Sequence, residues 1–387
     1  MRKLLLLLAI TLSNASYSQT AITDANIQNA INTCLSTNPV DGMCTDSEYG
    51  AMPDWDVSQV TDMSNAFENK NTFNGDISSW DTSSVTDMNY MFADASAFNQ
   101  DIGAWDVGNV INFERVFEYA SAFNQPIGDW DVSSVTNIRY MFHYATSFNQ
   151  PIGDWDVSSI TPYGATTGAF ENADSFNQDL SGWDVSNMTA IASMFNSADS
   201  FNQDLSSWDV SNITNMNWTF NSASSFNQNL SEWNIGNVNT MGGCFKDSGL
   251  STVNYDNILI GWSEQELQSD VQFGAQNINY CNGADAKQSI IDTYGWIITD
   301  GGLDCSSLGI DDQNLSNISI YPNPTDNTLF ISGNETPITV SIYNVLGKEV
   351  LSIKNTNNIN VQALQSGVYV IRISDGLGQT NRKFIRN

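Results

Sequence analysis

An aspartate follows a tryptophan at a fixed interval along most of this chain: Asp56, Asp81, Asp106, Asp131, Asp156, Asp184 and Asp209, with Asn234 closing the series. Carboxylates in register can do three kinds of chemistry. They can accept hydrogen bonds from nearby Ser and Thr hydroxyls and backbone amides, they can share a hard cation such as Ca²⁺, or two of them can act as acid and nucleophile on a glycosidic bond. Catalysis needs two carboxylates in unlike environments, and a repeat gives every one the same environment. The expectation is a structural column with no metal. If neighbouring charges about 4.8 Å apart are instead shared with Ca²⁺, the central Asp106, Asp131 and Asp156 are the ligands to test. His143 is the single histidine, at a polar position that reads as solvated. No nucleophile elbow, phosphate-binding glycine loop, metal triad or Ser-His-Asp set can be drawn. We therefore expect no catalytic residue, no cofactor-binding residue and no enzymatic activity.

The elements that carry this column repeat with it. Trp55, Trp80, Trp105, Trp130 and Trp155 are 25 residues apart, and Trp183, Trp208 and Trp233 follow after one interval of 28. A unit of this length cannot bury its own apolar face, so its copies must stack. In the repeat that starts at Trp130, Val135, Ile138, Met141, Phe142, Ala145 and Phe148 have the spacing of a short helix starting near Thr136. Ile152, Trp155, Val157 and Ile160 alternate as a short strand does. Strand plus helix in each unit predicts an α/β leucine-rich-repeat-type solenoid of about eight turns, with short parallel strands and short helices.

Other positions are read against that plan. The tryptophans fall where core is expected rather than a sugar-binding stripe. The tripeptide Phe-Asn-Gln, as in Phe148-Asn149-Gln150, recurs in register, and its amides can satisfy backbone groups at a corner. The interval of 28 places extra residues between Ile160 and Phe170, with Pro162 among them, either as loop drift or as a bulge where a partner docks. Trp218 lies in register with Tyr90 and Tyr140 and can join them in an exposed aromatic patch.

Charge is uneven. Residues 53–245 hold 3 Lys/Arg against 24 Asp/Glu, a net of −21, whereas residues 318–387 hold 6 against 4, a net of +2. Nucleic acid and anionic membrane are poor partners for so acidic a surface. At the N-terminus, Arg2-Lys3, the apolar Leu4–Leu12 and the small residues after it have the layout of a secretory signal peptide, and the apolar run is too short for a permanent membrane span.

The repeat, with its D-V-S-x-V-T and F-N-Q phrases, resembles the BspA-like surface proteins over roughly residues 53–245. By that resemblance Ile27–Tyr49 corresponds to an N-terminal cap. The stretch from Tyr255 to Gly302, with Ile260-Gly261-Trp262 and Tyr294-Gly295-Trp296, corresponds to a C-terminal one. The resemblance implies a capped leucine-rich-repeat-type solenoid on a bacterial surface, usually without enzymatic activity. Cys34 and Cys44 then fall in the first cap, and Cys281 and Cys305 bracket the second. An oxidising compartment makes two disulfides the natural reading. Cys244, at the repeat position of Met141, reads as a free buried thiol.

From about Ile318 the pattern becomes short alternating strands between turns, a small all-β sandwich. Tyr321-Pro322-Asn323-Pro324, Tyr343-Asn344-Val345-Leu346-Gly347 and Ser366-Gly367-Val368-Tyr369 resemble the C-terminal sorting domain of type IX secretion. That resemblance implies passage across the outer membrane, with a sortase removing the domain and linking the passenger to surface lipopolysaccharide. The organisation expected is a signal peptide (1–19), N-terminal cap (20–52), repeats (53–245), C-terminal cap (246–305), linker (306–317) and sorting domain (318–387). The expected function is adhesion, or protein or glycan interaction, at the cell surface. A calcium-stiffened matrix protein and a polysaccharide-binding module are the alternatives.

Overall fold

The computed structural model describes residues 20–161, 164–305, 318–333, 338–344, 348–354, 356–374 and 379–387. The expected signal peptide, the linker and Pro162-Tyr163 of the insertion lie outside the described residues. The chain divides into two compact units, residues 1–303 and 304–387.

The repeats do stack, but they are not built as a leucine-rich-repeat solenoid. Among their described residues there is neither the expected helix nor the expected strand. In the rung that starts at Trp130, Ile138, Tyr140, Phe142 and Tyr144 donate their amide N–H groups to Ala165, Thr167, Ala169 and Glu171 of the next rung, all at 2.9 Å. The intervening Met141, His143 and Ala145 donate instead to carbonyls three residues back, at 3.0, 3.2 and 2.9 Å. Tyr140 and Tyr144 have φ of 54° and 56°, in the left-handed region, whereas a helix needs about −63°. The apolar spacing of three to four thus arises from consecutive tight turns whose third residue is left-handed, as a type II turn requires. A left-handed non-glycine residue costs roughly 1–2 kcal/mol, and the inter-rung bonds offset that cost.

The expected strand at Trp-Asp-Val fails for a related reason. Asp131 Oδ1 accepts from the backbone N–H of Ser133 at 3.1 Å and from its hydroxyl at 2.6 Å. Val135 N–H then closes a turn onto Val132. Side-chain bonding of this kind competes with ladder pairing. What pairing exists is a file of isolated parallel bridges, Asp62–Asp87–Asn112–Asn137 and Ala190–Asn215–Thr240.

Packing makes the stack. Phe142 stacks on Phe148 of its own rung at 3.9 Å between centroids, and on Phe117 and Phe170 of the adjacent rungs at 5.7 and 5.6 Å. The tryptophans of the column, Trp55 to Trp233, are buried, and from Trp80 onward each indole N–H donates to a carbonyl of the preceding rung or cap, as Trp130 does to Ile102 at 3.2 Å. Asn124 Oδ1 accepts the backbone N–H of Asn149 at 2.9 Å and the amide of Gln150 at 2.8 Å. The same ladder continues through Asn177, Asn202 and Asn227.

Both ends are closed. Helix α1 (Ile27–Thr37) buries Ile27, Ala30, Ile31, Cys34 and Leu35, and Asp24 Oδ1 caps the amides of Thr61 and Asp62. Cys34 and Cys44 form a disulfide. At the other end come α2 (Thr252–Ser263), β1 (Gln272–Tyr280), α3 (Ala284–Tyr294) and β2 (Ile297–Leu303), with β1 and β2 parallel. A bridge from Met241 to Phe273 joins this cap to the last rung. Buried Asp256 accepts from the amides of Cys281, Asn282 and Gly283 at 2.8 Å. Cys281 and Cys305 are disulfide-bonded as well.

The second unit is two small antiparallel sheets over one core. One has the order β3 (Ser319–Tyr321), β4 (Thr328–Ser332), β7 (Asn358–Asn360). The other has the order β6 (Glu349–Lys354), β5 (Thr339–Asn344), β8 (Gly367–Ser374), β9 (Gln379–Arg386). Leu329, Ile331, Val340, Ile342, Ile371 and Ile373 alternate inward, each on one face of its strand.

Candidate functional site

Each carboxylate of the aspartate column turns back into its own rung: Asp56, Asp81, Asp131, Asp156 and Asp184 accept from the hydroxyl and amide of the serine two residues on, and Asp106 from the amide of Gly108. The Ser133 hydroxyl and then its amide hold the Asp131 carboxyl below the usual aspartate range, and Ser158 does the same for Asp156. Among the described residues no group of three or more His, Cys, Asp or Glu side chains converges as a metal site would require. Cys244 is fully buried, and burial pushes its thiol up to about 12, which disfavours the reactive thiolate.

The structure gathers a different set of residues. The left-handed tenth and fourteenth positions after each tryptophan point their side chains away from the core. There the sequence places Tyr90, Arg115 and Tyr140 on successive rungs, with Tyr119 and Tyr144 beside them. The Arg115 guanidinium lies between two rings, 5.4 Å from the Tyr90 centroid and 4.5 Å from that of Tyr140. Its Nη1 donates to both carboxylate oxygens of Glu118, at 2.8 and 2.9 Å. Tyr119 and Tyr144 stack at 4.6 Å and remain 40% and 37% exposed. Contact of guanidinium with ring faces is favourable by about 0.5–2 kcal/mol.

His143 occupies the middle of this face and is not solvated as the sequence suggested. Its side chain is only 15% exposed, with Nδ1 2.8 Å from Glu118 Oε1 and the rings of Tyr119, Tyr140 and Tyr144 around it. Burial works against ionisation of Glu118, but the bonds from His143 and Arg115 outweigh it and hold the carboxyl below its usual range. Glu171, on the following rung, is pushed up chiefly by burial, opposed by the amide of Asn196 and the charge of His143.

Next to the ring cluster runs a groove of about 620 Å³, lined on three successive rungs by Asn112 and Glu114, Asn137 and Arg139, and Ala165 and Thr167. Arg139 Nη1 is 3.9 Å from Glu114, and its guanidinium lies 5.1 Å from the Tyr140 ring. Gly164, the first described residue after Pro162-Tyr163 of the 28-residue interval, also lines the groove. Arg115, Arg139 and Lys70 are the only Lys/Arg among residues 53–245. Two of the three, with the only histidine, lie on this one face.

Trp218 falls on the same tenth position and is 45% exposed, with Lys246 Nζ 5.7 Å from its ring. Sequence reasoning reached the register of Tyr90, Tyr140 and Trp218 but missed Arg115, Tyr119, Arg139 and Tyr144. The available signal was composition: the tenth and fourteenth positions are otherwise Asn, Asp, Ser or Gly, the residues that tolerate a left-handed backbone. Large side chains there are the exceptions.

A family model described as "Mycoplasma protein of unknown function, DUF285" matches residues 40–155, 104–169 and 149–258. A second, described as "Secretion system C-terminal sorting domain", matches residues 319–387. No curated protein matches the chain. Among solved structures, that of PorZ, an essential bacterial surface component of the type-IX secretion system of Porphyromonas gingivalis, is similar at 20% identity with a TM-score of 0.18. The overlap covers 19% of this chain and 12% of that one, too little to carry an argument. Among the described residues no helix is long and apolar enough to cross a membrane. The sorting domain directs the protein through the type IX secretion machinery to the cell surface. With its repeats matched over more than half of its length, the chain belongs to the family described as Mycoplasma protein of unknown function, DUF285.

Proposed function

We propose that this secreted surface protein is a non-catalytic adhesin, and that the face formed by Tyr90, Arg115, Tyr119, Arg139, Tyr140 and Tyr144 is its contact surface. The observation that carries the reading is concentration. In a repeat region of net charge −21, exposed rings and two of the three basic side chains share one face beside a groove. Tyr and Arg are the residues enriched at recognition hot spots. The resemblance to the BspA-like surface proteins supports the same reading, and by the sorting-domain resemblance a sortase links the displayed passenger to surface lipopolysaccharide. The test is retention of the purified full chain on intact surfaces of neighbouring and host cells. Arg139→Glu combined with Tyr144→Ala should abolish retention while leaving the melting curve in place, because both side chains are solvent-facing. Undiminished retention of that variant would defeat the assignment.

A further inference from the structure

We propose that the ligand is a neutral glycan chain, laid along the stack from the Tyr140 and Tyr144 rings to the Trp218 ring. The inference rests on the contact face assigned above and names its ligand class. The Tyr140 ring leans over the next rung, where a Cβ on Gly168 would meet its Cδ1 and Cε1 at 2.4 Å. Trp218 leans in the same sense over Gly243, where a Cβ would lie 3.4 Å from the indole. The tenth-position residues between the two rings are Gly168 and Ser193, so the backbone between them carries almost no side chain. Tyr140 and Trp218 are three rungs apart, about 14 Å at the roughly 4.8 Å spacing of a parallel ladder. The rings thus form two aromatic platforms, one over Gly168 and one over Gly243, with the small Ser193 on the rung between Gly168 and Trp218.

The polar groups between the platforms suit hydroxyls. Asn196 Nδ2 donates to Glu171 Oε1 at 2.6 Å, and Asn221 Nδ2 donates to Asn196 Oδ1 at 2.7 Å. Asn221 is itself buried, so the half-buried Asn196 and Glu171 are the members of this file that can meet hydroxyls as donor and acceptor. A sugar ring has an apolar C–H face to stack on Tyr or Trp and hydroxyls at its rim. A protein partner would instead need a desolvated apolar centre, and the exposed apolar surface on this face is confined to rings and Ile111. Charge argues for a neutral chain. Arg115 is engaged by Glu118, Arg139 faces Glu114, and Lys246 Nζ is 3.8 Å from Asp247, so each cation already faces a carboxylate in a region that repels anionic polymers.

Calorimetric titration of the full chain with gluco-, xylo-, manno- and galactohexasaccharides, the matching disaccharides and heparin tests this. At least one neutral hexasaccharide should bind, and its disaccharide should bind tenfold or more weakly. Trp218→Ala and Tyr144→Ala should each weaken binding by about tenfold, the loss that 1.4 kcal/mol represents, while Tyr144→Phe keeps affinity. Ser193→Arg should fill the gap between the platforms, packing against Trp218 as Arg115 packs against Tyr140, and should weaken hexasaccharide binding by tenfold or more. Tighter binding of heparin, or equal binding of disaccharide and hexasaccharide, overturns the proposal. So does failure of every hexasaccharide to bind while Tyr144→Ala still abolishes retention on cells, an outcome that leaves the contact face standing. If Tyr144→Ala changes neither glycan binding nor retention, the contact face itself is wrong.

Discussion

The repeat stack and the sorting unit both bury alternating apolar residues, yet they satisfy their backbones differently. In the sorting unit the amides bond across antiparallel strands, as Val340 pairs with Ile353 and Ile373 on either side. In the stack the amides from Ile138 to Ala145 either close local turns or reach the next rung, while Asp and Ser side chains occupy the place a strand would take. Apolar alternation is thus a sound guide to strands only where no side chain competes for the backbone. The units also differ in charge, −21 over residues 53–245 against +2 over residues 318–387. The less acidic unit is the one the secretion machinery recognises.

The sharpest separation of the two is export. Deleting residues 318–387 should leave the stack folded, since each unit has its own core, yet abolish surface display. Immunodetection of intact against lysed cells reads the outcome, and surface signal from the truncated chain would contradict the division of labour.

Next comes packing. Phe148→Ala removes a ring stacked between Phe123 and Phe176 and should cost about 3–5 kcal/mol. In calorimetry the stack's transition should fall while that of the sorting unit stays in place.

Glu118 and Glu171 should then respond with opposite signs. Glu118 is held below its usual range, so its contribution is present at neutral pH and is lost as pH falls through the folded value. Glu171 is held above its usual range, so its contribution is present in acid and is lost as pH rises through the folded value. At neutral pH Glu118→Gln should destabilise by about 1.5–3 kcal/mol, the scale of a hydrogen bond to a charged group. Glu171→Gln should raise the melting temperature. The same sign for both variants would refute the description of this face.

The smallest effect belongs to the aspartate column. Asp131→Asn keeps an acceptor for Ser133, so the change should be within about 1 kcal/mol. A melting temperature that rises with added Ca²⁺ in the parent chain, and less so in Asp131→Asn, would reopen the cation reading.

Much of this was legible in sequence. The 25-residue period gave the stacking, the buried tryptophans and the asparagine ladder, because repetition forces equivalent residues to meet. The alternation from Thr328 onward gave the sheets of the sorting unit. What could not be read was the local path of each rung. A spacing of three to four apolar residues is shared by a helix and by serial turns, and only the left-handed positions, such as Tyr140 and Tyr144, decide between them. The environment of His143 was hidden for the same reason: its partner Glu118 is 25 residues away, adjacent only once the rungs are in register.

A rung bonds only to the rungs on either side, and with three additional residues ahead of Ala165 the following ladder is intact, Tyr140 still meeting Thr167. Nothing in the caps counts how many rungs lie between them. Near-identical units of 25 codons invite unequal recombination, and an in-frame gain or loss of one unit would leave both ends unchanged. Copy number is therefore a heritable setting that lineages can alter in a single event, changing how many rungs separate the ring-bearing face from the caps without inventing any new contact.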